Sequence, residues 1–383
     1  MAATFVQAAE HNRPANLFLN ARIDIRMNAA RVAAVTLLHI ESAPWFAANA
    51  AGRKRGVVGS GTVKYRPASV PHQSLGKQNW FMTSDHLHDA PSRRGRQLVL
   101  WLVIAAIIVP AIAFSWNPTP LAQALAALFV ASALVHASAF YRPRQALMLL
   151  AICLAITFAM ENIGTATGFP FGHYHFEVDA GLPHIGLIPI IVGPLWFGAG
   201  YFSWVVATIL LDGADRALDR RFNLIALPIV AAFVMTQWDF VMDAPNATIA
   251  KVWIWHDGGA VFGVPLSNYL GWFLTSWLFF TGFALYLRRQ DLHRQGETRA
   301  LGSTPSFKLR AIAILFYVSA GLTHVIPWVL GSTGEVMDGA GHAWRIADIR
   351  EGTVAIVLFT MLFTAVLAAL RLLDAADEHR TKT

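Results

Sequence analysis

From residue 97 onward the apolar residues come in long blocks separated by short polar connections. Eight blocks can be drawn, at roughly 97–115, 120–140, 145–163, 186–211, 223–242, 266–287, 309–330 and 352–373. Each approaches the about 20 residues that a helix needs to cross a bilayer. The pattern predicts an all-α, polytopic helical membrane protein with about eight transmembrane helices. The bundle occupies 96–374, and a short cytoplasmic tail follows at 375–383. Residues 1–95 read differently. They are rich in Ala, Arg, Gly and Ser, with no block long enough to span. They are expected to be a disordered extension. Met82, followed by a short polar stretch, is an alternative start; a chain beginning there is expected to insert and function. A cleaved targeting peptide is the other explanation, although no apolar core with a small-residue cleavage site precedes Met82.

Composition strengthens the membrane assignment. The chain is 55% hydrophobic and 14% charged, with mean hydropathy +0.47, against about 25% charged residues in soluble domains. Its lone cysteine, Cys153, sits within an apolar block and reads as a core residue. The net charge of +7 belongs to one end. Residues 1–95 hold twelve Lys/Arg against five Asp/Glu, whereas 96–383 hold eighteen of each. No basic groove with interleaved aromatics accompanies that charge, so nucleic acid is not an expected partner.

Lys and Arg then orient the helices. With the N-terminus in the cytoplasm of a bacterial-type inner membrane, seventeen Lys/Arg from Arg93 onward fall on the cytoplasmic side. Only Lys251, Arg345 and Arg350 fall on the other, as the positive-inside rule requires. Both termini are then cytoplasmic. A periplasmic reporter fused after Arg294 is expected to be inactive and one fused near Asp179 active; the reverse pattern would invert the topology.

The same topology gathers the unusual polar residues on the non-cytoplasmic side. The connections 161–185, 239–265 and 331–350 carry Glu161, Asn162, His173, His175, Asp179, Asp239, Asp243, His256, Asp338 and Asp348, and His324 approaches from within a span. Ionisable groups at membrane depth are costly and point to function. Asp239 and Asp243 are four residues apart and share a helix face; Glu161 occupies the matching end of another helix. Grouped carboxyls in an apolar bundle divide into a neutral acid and an ionised partner, the pairing that proton donation and acceptance need. Asp243, followed by Ala-Pro, reads equally as a wetted helix-end residue. After Glu161-Asn162 the chain is expected to break on Gly164, Gly168, Pro170 and Gly172.

His173-Tyr174-His175 is a pair spaced by one residue, so an extended chain points both rings the same way. The repeated His clusters of membrane oxidases are absent. The histidines therefore read as rim groups, with His175 a candidate proton acceptor and no metal expected. Thirteen Trp and twenty-five Phe are present, most of them expected at lipid-facing or interfacial positions. Phe169, Phe171, Trp196, Trp238, Trp253, Trp255, Trp272 and Trp328 lie near the acids in the sequence pattern. Aromatic faces stabilise cations, so acids beside them suit a reaction passing through a carbocation on an apolar substrate. Asn268 enters its helix from a Gly-Val-Pro turn, either as a cap or to orient a water or a carboxylate.

Two motifs carry a family resemblance. Glu161-Asn-x-Gly-x-x-x-Gly-x-Pro-Phe-Gly-x-Tyr174, and Trp253-x-Trp255 followed by Gly263-Val-Pro-x-x-Asn-Tyr-x-Gly-Trp272, resemble the membrane carotenoid biosynthesis proteins. That family includes the CruF-type carotenoid 1′,2′-hydratases and the bisanhydrobacterioruberin hydratases. The resemblance covers about residues 100–373. It implies addition of water to the terminal isopropylidene double bond of an acyclic carotenoid end, giving a tertiary alcohol without a cofactor. The implied partners are a carotenoid, water, the lipid bilayer and other carotenoid-pathway enzymes. The motifs do not fix which residue donates the proton; the residues read above give Glu161, Asp239, Asp243 and His175 as the candidate catalytic set. The candidate substrate contacts, drawn from the motifs and from the aromatic and polar residues near the acids, are Asn162, Phe169, Phe171, His173, Tyr174, Trp196, Trp238, Trp253, Trp255, Asn268, Trp272 and His324.

Two other classes fit parts of the pattern. A transporter or channel would also place acids among broken helices, but the acids cluster at one face instead of forming a relay. Another prenyl-lipid enzyme is the second; the absence of Asp-Asp-x-x-Asp argues against a prenyltransferase.

Overall fold

A computed structural model describes residues 120–177, 183–293 and 305–382. The extension 1–95, the first apolar block at 97–115 and Asp179 lie outside these residues. The other seven blocks are helical, except that the one drawn at 186–211 opens on a β-hairpin and becomes helix only at Val192. The helices are α1 (Pro120–Phe140), α2 (Pro143–Thr167), α3 (Val192–Leu210), α4 (Arg221–Asp243) and α5 (Leu266–His293), then α6 (Phe307–Leu322) with the short α7 (Val325–Leu330), and α8 (Ile346–Ile356) with α9 (Phe363–Lys382). Among the described residues, six helical stretches are long and apolar enough to cross a membrane, and Ala124–Phe140 is a shorter apolar helix.

The helix ends follow local chemistry. Pro143 sits in the first turn of α2, where its missing N–H costs nothing and its fixed φ suits the helix. The same helix ends on Gly168, whose φ of 81° is left-handed and whose N–H donates to the Gly164 carbonyl, a conformation glycine adopts without penalty. α2 therefore runs through Gly164, contrary to the break expected there, and Glu161 lies inside the helix. α4 likewise continues past Pro245 as a π-helical turn, Ala244–Ile249. Asp243 is consequently not a wetted helix end: it is 1% exposed. A second π turn, Val357–Leu362, joins α8 to α9.

α3 is buried continuously from Trp196 to Ile209, as befits a helix apolar on every side. α1, α2, α4, α6 and α9 all pack on it, and α4 packs most extensively on α5. Outward-facing apolar residues such as Leu147, Phe233 and Phe359 are exposed, the surface expected of helices solvated by lipid.

The strands among the described residues lie in connections between helix ends. β1 (Tyr174–Phe176) pairs antiparallel with β4 (Trp253–Trp255), in the register Tyr174 to Trp255, His175 to Ile254 and Phe176 to Trp253. This ladder ties the two sequence motifs together. β2 (His184–Ile185) pairs with β3 (Ile188–Pro189), and β5 (Glu335–Met337) with β6 (Ala343–Arg345).

Candidate active site

The site is built where the C-terminal halves of α2 and α4 meet the start of α5. Glu161 on α2 is 6% exposed. One of its oxygens accepts from the Trp196 indole N–H at 2.9 Å, and the other accepts from the Tyr174 hydroxyl. Tyr174 reaches inward because β1 alternates: Tyr174 is buried while its neighbours His173 and His175 are more exposed. Burial and the adjoining Glu161 carboxylate raise the Tyr174 phenol well above its ordinary range, which keeps it a proton-bearing donor to that carboxylate.

Asp239 and Asp243 form a second station. Both are buried, one helical turn apart on α4. The Asn268 side-chain amide donates to both Asp239 oxygens, at 3.1 and 2.9 Å, and to Asp243 Oδ2 at 2.5 Å. One amide nitrogen thus bridges the two carboxyls, and carboxyls gathered this closely in an apolar site favour one proton between them. Asp243 is close enough to Glu161 for their charges to interact. Of the two roles open to Asn268, the side chain takes the carboxylate one.

Aromatic faces wall these acids. The Trp196 and Trp272 rings stack at 3.9 Å and 20°. Phe171 meets Tyr174 and Trp196 edge to face, at 6.1 and 6.4 Å. Its carbonyl accepts from the Trp255 indole at 3.1 Å, and Trp255 lies 6.0 Å from the Tyr174 ring. Trp238 is buried but faces another way, against Phe129 at 5.7 Å and Tyr317 at 6.0 Å.

Other residues named from sequence fall outside this core. Asn162 straps the β2–β3 hairpin to α2: its amide donates to the Phe158 and Ile185 carbonyls, and its oxygen accepts from Leu187 N–H. His173 pairs with Asp257 at 3.3 Å. His175 contacts His256 at 2.7 Å and Glu177 at 3.4 Å. These lie on the outer face of the β1–β4 ladder, so His175 points away from the carboxylates that Tyr174 approaches. Phe169 is 61% exposed. Trp253 is half-buried and packs on Phe176. His324 is half-buried at the junction of α6 and α7. Among the described residues, no group of three or more His, Cys, Asp or Glu is placed to hold a metal ion.

Sequence reasoning passed over Gln237, whose side-chain oxygen accepts from Tyr317 at 2.5 Å and Thr364 at 3.1 Å. An amide inside an apolar span was the available signal. It also passed over Gly164 and Gly271 as packing positions; the two bracket the Phe171 ring.

The sequence profile of the carotenoid biosynthesis proteins matches residues 119–337, a stretch that contains both carboxylate stations. The chain belongs to the carotenoid biosynthesis protein family. As a member of it, the chain is also similar to a protein named bisanhydrobacterioruberin hydratase from Haloarcula japonica. The two are 27% identical over 205 residues, which cover 52% of this chain and 64% of that relative. The match thus spans less than two thirds of the relative's length. No solved structure matches the chain.

Proposed function

We propose that this family member is an integral membrane hydratase that adds water to the terminal isopropylidene double bond of an acyclic carotenoid. One observation carries the reading: three carboxyls are buried together and, among the described residues, held by phenol, indole and amide donors, beside stacked tryptophans. The name of the Haloarcula japonica relative points the same way.

The chemistry balances with these residues alone. The proton shared by Asp239 and Asp243 passes to the less substituted alkene carbon, and the π electron pair becomes the new C–H bond. The positive charge left on the tertiary carbon faces the indoles of Trp196 and Trp272 and the Glu161 carboxylate. Water attacks that carbon through oxygen and gives up one proton to the aspartate pair. The pair returns to its starting state, and only water is consumed. Placing both termini in the cytoplasm of an inner membrane completes the reading and rests on the Lys/Arg distribution.

Expression in a host that makes lycopene or γ-carotene tests this. A product heavier by one water, with the new hydroxyl on a tertiary carbon, is expected. If no acyclic-ended carotenoid yields such a product, the reading falls and the transporter class gains.

A further inference from the structure

Tyr269 follows Asn268 on α5. It is 3% exposed, and its ring lies flat on Phe240, with centroids 3.9 Å apart and an interplanar angle of 2°. That stack fixes the ring against the helix carrying Asp239 and Asp243. The hydroxyl oxygen is buried and has no hydrogen-bond partner among the described residues. The residue's two anchors both adjoin the aspartate station: Asn268, the preceding residue, bonds both carboxyls, and Phe240 follows Asp239 on α4.

Each part of that arrangement limits what the hydroxyl can be doing. A purely apolar packing role needs a Phe, not a Tyr, because a buried hydroxyl without a partner costs stability. A direct clasp on the aspartates would appear as a hydrogen bond, as it does for Tyr174 on Glu161. The Asn268 amide already occupies the direct contact to the pair. What remains is a buried phenol next to the aspartate station with no direct bond to it. A water between them would give the phenol its partner, because it can accept from the phenol and donate to a carboxylate.

We propose that Tyr269 and the Asp239–Asp243 pair hold the water that is consumed in the reaction. The inference rests on the hydratase reading and adds to it the place of the nucleophile. The water's proton-bearing side faces the carboxyls. Its remaining lone pair is left for the carbon that has just lost its π electrons. When the C–O bond forms, one O–H bond breaks and its proton goes to the aspartate pair. If the water is not held, the cation instead loses a proton from an adjacent carbon and reverts to an alkene. Protonation then runs back and forth without hydration.

That difference gives the test. Wild type and Tyr269→Phe, purified into liposomes with lycopene, are incubated in deuterium oxide. Product and recovered substrate are then analysed by mass spectrometry. Tyr269→Phe keeps the stack on Phe240 and removes one oxygen. Its hydrate yield is expected to fall on the order of 10²-fold, the scale of a misplaced reactant, while deuterium still enters recovered lycopene at the wild-type rate or faster. Tyr269→His, which restores a donor on an aromatic ring, is expected to recover part of the hydrate and covers the case in which the Phe variant does not accumulate. Hydration and deuterium uptake that fall together, or that both stay unchanged, would overturn the water site while leaving the hydratase intact. A wild type that forms no hydrate from lycopene, γ-carotene or any other acyclic-ended carotenoid sinks the hydratase reading and this inference with it.

Discussion

Asp239→Asn is expected to lower hydration by about 10²–10⁴-fold, the usual contribution of a general acid–base group, while the chain still accumulates in the membrane. The substitution is close to isosteric. An asparagine there keeps an oxygen for the Asn268 amide, which now donates to both Asp239 oxygens at 3.1 and 2.9 Å. Its own N–H can donate to Asp243, so the local hydrogen bonding survives. What disappears is the transferable proton. Glu161→Gln is expected to remove activity to a similar extent, with an added cost in stability. Glu161 uses both oxygens, one for Trp196 and one for Tyr174, and a glutamine offers only one. One buried donor then faces an N–H group, a loss of about 1–3 kcal/mol. His175→Ala, on the outer face of the ladder, and Asp179→Asn, outside the described residues, are expected to leave most activity in place. Product yield per unit of membrane-inserted chain is the measurement. Near-normal hydration by both Asp239→Asn and Glu161→Gln would remove the carboxylates from the chemistry.

The spans were readable because hydropathy over about twenty residues is a strong signal, and each block from 120 onward contains a helix close to where the pattern draws it. What misleads is punctuation. Gly164 and Pro245 both look like stops. Gly164 instead lies within α2, where the absence of a side chain admits Phe171; Pro245 is absorbed by a π turn. Gly168, with its left-handed φ, does end the helix as expected. The site was legible where one element carries the geometry, as with Asp239 and Asp243 one turn apart. It was not legible where tertiary partners decide. The rings of His173 and His175 do share a side, but β1 turns that side outward because Tyr174 takes the inward one. Asn162 has the sequence look of a site residue, yet its three hydrogen bonds all serve α2 and the β2–β3 hairpin. The pairing of β1 with β4 joins Tyr174 to Trp255 across a long stretch of chain, and no local pattern announces it.

Gly271→Ala is expected to damage stability and activity together, because the ring it would strike supports the donors of Glu161. A Cβ at Gly271 would lie 2.5 Å from Phe171 Cδ1, and one at Gly164 would lie 2.6 Å from Cδ2 on the opposite side. Phe171 is 2% exposed and cannot swing into free space. Its edge-to-face neighbours are Tyr174 and Trp196, the two residues that hold the Glu161 carboxylate. Overpacking of this kind costs about 1–3 kcal/mol, and here the displaced rings carry the displacement to the site. The same should hold for Gly164→Ala. Phe171→Leu supplies the check. Alone it loses packing, but beside Gly271→Ala it makes room for the added methyl. The double variant should therefore be more stable than the two single losses predict, by a coupling of about 0.5–3 kcal/mol, as expected for residues in contact. Thermal melting of the detergent-purified chains, read with hydrate yield, measures both effects. Strictly additive losses would mean that Phe171 is not clamped between the two helices, and the route from these glycines to Glu161 would have to be abandoned.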